Sequence, residues 1–200
     1  MTGFFVCVDG PNGVGKTTAV AGVVEMLFRL GLKVEGTKEP TETPLGQLVR
    51  RLDGRFRSEE AYACLVAADR REHIFAIDDR LRDGAVVVSD RYIPSSLVLN
   101  VARGVTEEFI LRLHEGMRRP ELTVILTADE GTLEARIRSR GTPLSTGDRR
   151  ITRAEEAQRF TLLVPRLGTL GFPSRHLDTS TMPPHAVANA ITNWIKERSG

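Results

Sequence analysis

The stretch Phe4-Phe5-Val6-Cys7-Val8-Asp9-Gly10-Pro11-Asn12-Gly13-Val14-Gly15-Lys16-Thr17 decides the fold. Its second half fits G-x-x-x-x-G-K-[ST] in every required position. A short β-prone run precedes the motif, and Val20, Val23, Val24, Leu27 and Leu30 follow it at helical spacing. Strand, loop and helix are thus in register around it. Glycines at 10, 13 and 15 let the backbone turn tightly and bring N–H groups close to an anion, and the next helix aims its positive end at the same place. Lys16 can reach the β- and γ-phosphates of a nucleotide, and the Thr17 hydroxyl can ligand Mg²⁺. Gly10, Asn12, Gly13, Val14, Gly15, Lys16, Thr17 and Thr18 are therefore expected to hold ATP.

Outward from this motif, strand and helix patterns alternate along the chain. Residues 33–37 read as a short second strand, and a helix follows through Leu45, Leu48, Val49 and Leu52. A long helical pattern fills residues 58–82, with Ser58 as N-cap and Glu59 and Glu60 in the first turn, where the helix dipole favours acids. Residues 85–88 and 122–126 are β-branched or apolar runs suited to strands covered on both faces. Helices are expected at 94–102, 106–117, 130–140 and from 152, then a last short strand at 175–177. Val187, Ala190, Ile191 and Trp194 make one apolar face on the closing helix. Such alternation predicts one α/β domain over residues 1–200, with a mostly parallel sheet and helices on both faces. In such sheets ligands bind beyond the C-terminal strand ends, so the loops after Val8, Thr37, Ser89 and Thr127 share one rim.

Composition narrows the partners. With 28 basic and 26 acidic residues, no global field calls for nucleic acid or an anionic membrane. Basic residues do cluster, however: residues 136–153 hold six arginines and one acid, Asp148. Cys7 and Cys64 have no metal-ligand spacing and suggest no disulfide framework, as expected of thiols in a reducing cytoplasm. The first apolar run is five residues, too short for a signal peptide. No run approaches the length needed to span a bilayer.

The third strand leaves Ser89-Asp90-Arg91-Tyr92 at the rim. Asp90 there can hold the water shell of Mg²⁺, and Arg91 offers a planar fork to phosphate; as a plain turn, Asp90 would serve only as a cap. Asp9 could orient a group at the loop's edge or simply cap the strand end.

Taken with the P-loop, Thr37-Lys38-Glu39-Pro40, Ala68-Asp69-Arg70 and Asp90-Arg91-Tyr92 resemble the thymidylate kinase family of nucleoside monophosphate kinases. The likeness runs to about residue 150 and includes Thr43-Pro44-Leu45-Gly46, Arg119-Pro120-Glu121-Leu122 and Asp148-Arg149. It implies a P-loop three-layer sandwich with a five-stranded core, usually dimeric, that moves the γ-phosphate of ATP onto a nucleoside monophosphate. It further implies that Arg70 contacts the base, that Arg91 and Lys38 meet the acceptor phosphate, and that Asp90 attends the metal. Residues 136–153 match the mobile lid. The loop itself has no arginine, so lid arginines are expected to act, Arg140 against adenine and Arg149 toward the transferring phosphoryl group. The alternative for that segment is a solvated basic helix face.

Four departures bear on the acceptor. Asn12 replaces an acid, and Asn100 a glutamine. Val66 and Leu99 stand where the family has aromatics, one stacking on the base and one crowding the sugar's 2′ side. Losing stacking worth roughly 1–3 kcal/mol per base could change the preferred acceptor. Either Tyr62 or Tyr92 supplies the ring instead, or the acceptor is a modified or ribose-containing pyrimidine nucleotide rather than dTMP. A hydroxyl-directed nucleoside kinase would need a base, for which Asp9 and Asp69 are candidates. A weakly catalytic nucleotide-binding scaffold is a further alternative, and a GTP switch lacks its N-K-x-D tetrapeptide.

Overall fold

The computed structural model describes residues 3–139 and 151–199. Arg140, Arg149 and the middle of the expected lid lie outside the described residues.

Three strands are buried at every position: β1 (Phe4–Asp9), β3 (Val86–Asp90) and β4 (Leu122–Thr127). Their unbroken apolar runs suit a sheet centre covered on both sides. The flanking β2 (Val34–Lys38) and β5 (Ser174–Asp178) carry only half-buried and exposed positions, as edge strands do. The order is β2-β3-β1-β4-β5 and every pairing is parallel, so the sheet expected to be mostly parallel is parallel throughout.

Alternate side chains of β1 enter different cores. Phe4, Val6 and Val8 pack with Val20, Val23 and Leu27 of α1 (Lys16–Arg29) and Ile191 of α8 (Pro184–Ser199). Phe5 and Cys7 face Ile77 of α3 (Glu59–Arg82), Leu97 of α4 (Ile93–Ala102), Ile110 of α5 (Glu107–Leu113) and Phe160 of α7 (Arg153–Leu163). That gives the three layers.

Helix starts follow local chemistry. Thr43 before α2 (Pro44–Leu52), Ser58 before α3, Thr106 before α5 and Thr152 before α7 each accept an N–H from three residues on. Asp129 does the same for α6 (Glu130–Ser139), accepting from Thr132 N at 2.8 Å. The helix expected over 106–117 stops at Leu113, because His114 is its C-cap and Gly116 turns the chain left-handed at φ 72°. Parallel register sets both Val8 and Lys38 beside Asp90, so the ends of three strands meet on one rim.

Candidate active site

At that rim Gly10 leaves β1 with φ 148°, and a Cβ there would lie 2.3 Å from Leu126 O. Gly15 enters α1 at φ 104°. Side-chain-bearing residues rarely take either conformation. The turn between them curls over the first residue of α1, Lys16, whose Nζ donates to Gly10 O at 2.8 Å and Pro11 O at 2.9 Å. Burial, helped by the nearby Arg91 charge, pushes the Lys16 ammonium down to about 8, against the pull of Asp90, Asp9 and Glu156. Carbonyl oxygens solvate this buried cation, but they do not neutralise it. An anion placed in the turn would.

Thr17 Oγ1 donates to Asp90 Oδ2 at 2.6 Å, while Asp90 Oδ1 is buried with no hydrogen-bond partner. An unpaired buried carboxylate oxygen beside a hydroxyl is a costly arrangement unless something else binds there. An all-oxygen pair of this kind fits a hard divalent cation such as Mg²⁺.

Asp9, at the tip of β1, is wholly buried. Its Oδ1 accepts from Gly10 N at 2.8 Å and Ser95 Oγ at 2.7 Å, and its Oδ2 from Ser95 N at 2.8 Å and Tyr92 N at 3.3 Å. Burial pushes its carboxyl upward, and Arg91 and Lys16 oppose this. Asp9 therefore caps α4 from across the sheet. Arg91 stands in the left-handed region at φ 77°, a conformation that costs a non-glycine residue about 1–3 kcal/mol. Its Nη1 donates to Ser95 Oγ at 3.0 Å and lies 3.9 Å from Asp9 Oδ1.

From Asn12 and Arg91 a cavity of about 650 Å³ opens between α3 and α4. Tyr62, Val66, Asp69 and Arg70 line one wall at helical spacing, and Ser95, Ser96, Leu99 and Asn100 another. Arg153 and Glu156 of α7 close the end beside the glycine turn, where Glu156 Oε1 accepts from Asn12 N at 3.1 Å. A smaller cavity of about 210 Å³ lies on the turn's other side, among Val14, Gly15, Thr18, Arg136, Thr179 and Met182. Arg136 braces it, donating to Val14 O at 3.1 Å and Thr179 O at 2.7 Å.

The thymidylate kinase family model matches residues 8–163. The chain belongs to the thymidylate kinase family. It is accordingly an ATP-dependent phosphotransferase. A probable thymidylate kinase of Pyrobaculum aerophilum is 39% identical over 140 residues, covering 68% of this chain and 71% of that protein. One from Pyrococcus horikoshii is 39% identical over 150 residues, 71% and 73% of the two chains. Another, from Thermococcus kodakarensis, is 40% identical over 147 residues, 68% and 72%.

The kinase brings together Val66, Arg70, Arg91, Leu99 and Asn100 of the expected acceptor residues on the larger cavity, beside Asn12, which was expected to hold ATP. Lys38 is not brought there. It pairs with Glu42 at 2.6 Å and faces an outer groove, because its edge-strand position directs it away from α4. Asp9 reaches neither cavity and acts through Arg91 and Ser95. Of the two tyrosines, Tyr92 is fully buried, edge-on to Phe5 at 5.1 Å, with its hydroxyl donating to Arg118 O. Tyr62 lines the cavity. Burial chiefly, with the Asp53 charge, pushes its hydroxyl up to about 12. The Arg103 guanidinium sits 4.7 Å over its ring and pairs with Asp53 at 2.6 Å.

Asp69 spends its carboxylate on Thr41, accepting from the backbone N at 2.9 Å and Oγ1 at 2.5 Å. With Asp9 equally engaged, the two acids considered as bases for a hydroxyl acceptor are both committed to the scaffold. Sequence reasoning passed over Glu156, Arg103 and Asp53. Only Tyr62 had a readable signal, its place one turn before Val66 and two before Arg70.

Proposed function

We propose that this kinase, as a single domain over residues 1–200, transfers the γ-phosphoryl group of ATP to the phosphate of dTMP or a closely related pyrimidine monophosphate. The observation that carries the reading is the direct opening of the glycine turn, at Asn12, into a cavity that Arg91 and Arg70 line. A donor phosphate chain in the turn and an acceptor phosphate at Arg91 would then meet end to end. Catalysis of this kind needs positioning and charge neutralisation, and an acceptor phosphate oxygen is already nucleophilic, so no general base is required.

The turn's amides and Lys16 would cradle the β- and γ-phosphates, and Val14 and Thr18 would border the donor base in the smaller cavity. Arg140 is assigned to that base together with Arg136, and Arg149 to the transferring group, from a lid over about 136–153 that closes to exclude water. Thr17 and Asp90 would hold Mg²⁺, which when bound would offset the negative charge of the β- and γ-phosphate oxygens. Arg91 would fix the acceptor phosphate, Arg70 and Asn100 would read the base or sugar, and Tyr62 would stack where Val66 cannot. Leu99 leaves room beside the sugar.

No helix among the described residues is long and apolar enough to cross a membrane. A cytoplasmic setting is the reading that two unpaired cysteines support. A homodimer is supported by the apolar groove of Val20, Val24 and the 65% exposed Phe75 on the outer face.

The deciding measurement is ADP release with Mg²⁺ and ATP across dTMP, dUMP, CMP, UMP, AMP and thymidine. Efficiency should be highest for dTMP or another pyrimidine monophosphate and near background for thymidine. Phosphorylation of thymidine ahead of every monophosphate would overturn the proposal.

A further inference from the structure

Arg70 carries five N–H groups, and four are already used. Its Nε donates to Glu39 Oε2 at 2.6 Å and its Nη2 to Tyr92 O at 3.0 Å. The two hydrogens on Nη1 go to Ser96 Oγ at 2.9 Å and to His114 Nε2 at 2.5 Å. One hydrogen, on Nη2, is left over, and Arg70 is among the residues that line the larger cavity.

The contact with His114 has only one possible polarity. A guanidinium cannot accept a hydrogen bond, so His114 Nε2 is the acceptor and carries no proton. The proton must then sit on Nδ1, and Nδ1 does donate, to Ile110 O at 2.7 Å. Partners on both sides agree on one neutral tautomer. The imidazole is 1% exposed, and burial together with Arg70, with smaller contributions from Arg119 and Arg71, pushes it down to about 3 against the pull of Ile110 O. Glu39 is held in turn from the opposite side: its Oε1 lies 3.1 Å from His73 Nδ1, and His73 Nε2 is 2.7 Å from Thr37 Oγ1. A guanidinium clamped at four points cannot turn a second N–H toward a ligand.

We propose that His114, which reaches neither cavity, is a positioning residue for the acceptor: it locks Arg70 so that a single Nη2 N–H meets a hydrogen-bond acceptor, such as a ring carbonyl, on the nucleotide base. The inference rests on the reading of Arg70 as the residue that meets the base. Its consequence is discrimination. A base that presents an amino group at that edge sets donor against donor, and Arg70 has no freedom to turn away.

The first test uses the unmodified protein. Nitrogen-15 NMR of the imidazoles should show His114 with its proton on Nδ1 and Nε2 bare from pH 8 to pH 5. A proton on Nε2, or titration near the ordinary histidine value, overturns the proposal. The second test compares His114→Leu with His114→Gln, whose side-chain oxygen can still accept. His114→Leu should raise the KM for dTMP roughly tenfold or more, in line with loss of a buried charge-assisted hydrogen bond. It should leave the KM for ATP unchanged and narrow the preference for dTMP over dCMP. His114→Gln should restore most of each. A folded Leu variant with unchanged dTMP KM and unchanged preference, or a Gln variant no better than Leu, overturns the proposal. Arg70→Lys separates the two levels: if it raises the dTMP KM while His114→Leu does not, only the role of His114 falls. If Arg70→Lys leaves dTMP binding intact, the reading of Arg70 falls and His114 goes with it.

Discussion

The glycine turn is eight consecutive residues, 10–17, whereas the larger cavity draws its lining from positions as distant as Glu39 and Glu156. In the turn the backbone does the work: three glycines at positive φ, and Lys16 folded onto two carbonyls. In the cavity side chains do the work, and each is set by another side chain. Arg70 is set by Glu39, Ser96 and His114, Arg91 by Asp9 and Ser95, and Arg103 by Asp53. A backbone site resists substitution nearly everywhere. A side-chain site can be rewritten residue by residue, and Val66, Leu99 and Asn100 stand on that side of the contrast.

The sharpest break of this contrast is Lys16→Ala. Removing the buried ammonium under the turn should lower kcat by at least about 10²–10³-fold, the scale for losing a preorganised electrostatic partner. The melting temperature should hold or rise, since burial already disfavours the charged ammonium. Ordinary turnover in that variant would remove the turn from the chemistry. A smaller effect is expected on the cavity side. Tyr62→Ala should raise the acceptor KM about five- to 150-fold, as loss of a stacking ring would, with kcat and the ATP KM little changed. Equal changes for both substrates would make Tyr62 a packing residue only.

The smallest effect at neutral pH concerns the fold rather than catalysis. His114 stays neutral in the folded chain down to about pH 3, whereas in the unfolded chain it protonates near the ordinary value of about 6.5. Between those limits the unfolded state binds a proton that the folded state does not, so stability is whole above the upper limit and declines as pH falls through the window. The slope contributed is at most about 1.4 kcal/mol per pH unit. Urea titrations from pH 7 to pH 4 should show it, and His114→Gln should flatten the curve. An identical acid slope in that variant would remove His114 from the account.

The difference between the two halves also explains what could be read in advance. The strands, the glycine turn and the cap at Ser58 depend on neighbours a few residues apart, and local pattern carries them. Val66 and Arg70 were open to reading through the family resemblance, and helical spacing puts Tyr62 on the same stripe. Arg103 against Asp53, 50 residues away, and Glu156 on the Asn12 amide, 144 away, follow from no spacing rule. They exist because parallel strand order folds α4 and α7 over the rim. Lys38 shows the opposite failure. Its motif position pointed to the acceptor, but an edge strand gives its side chain to the outer groove.

One carboxylate ties the halves together. Asp9 takes the N–H of Gly10 with one oxygen and those of Tyr92 and Ser95 with the other. The origin of the helix that carries Ser96, Leu99 and Asn100 is thus pegged to the same point from which the glycine turn departs. Drift in acceptor preference therefore has to come by exchange of side chains further along that helix. Sliding or tilting the helix to fit a different nucleotide would drag the ATP grip with it.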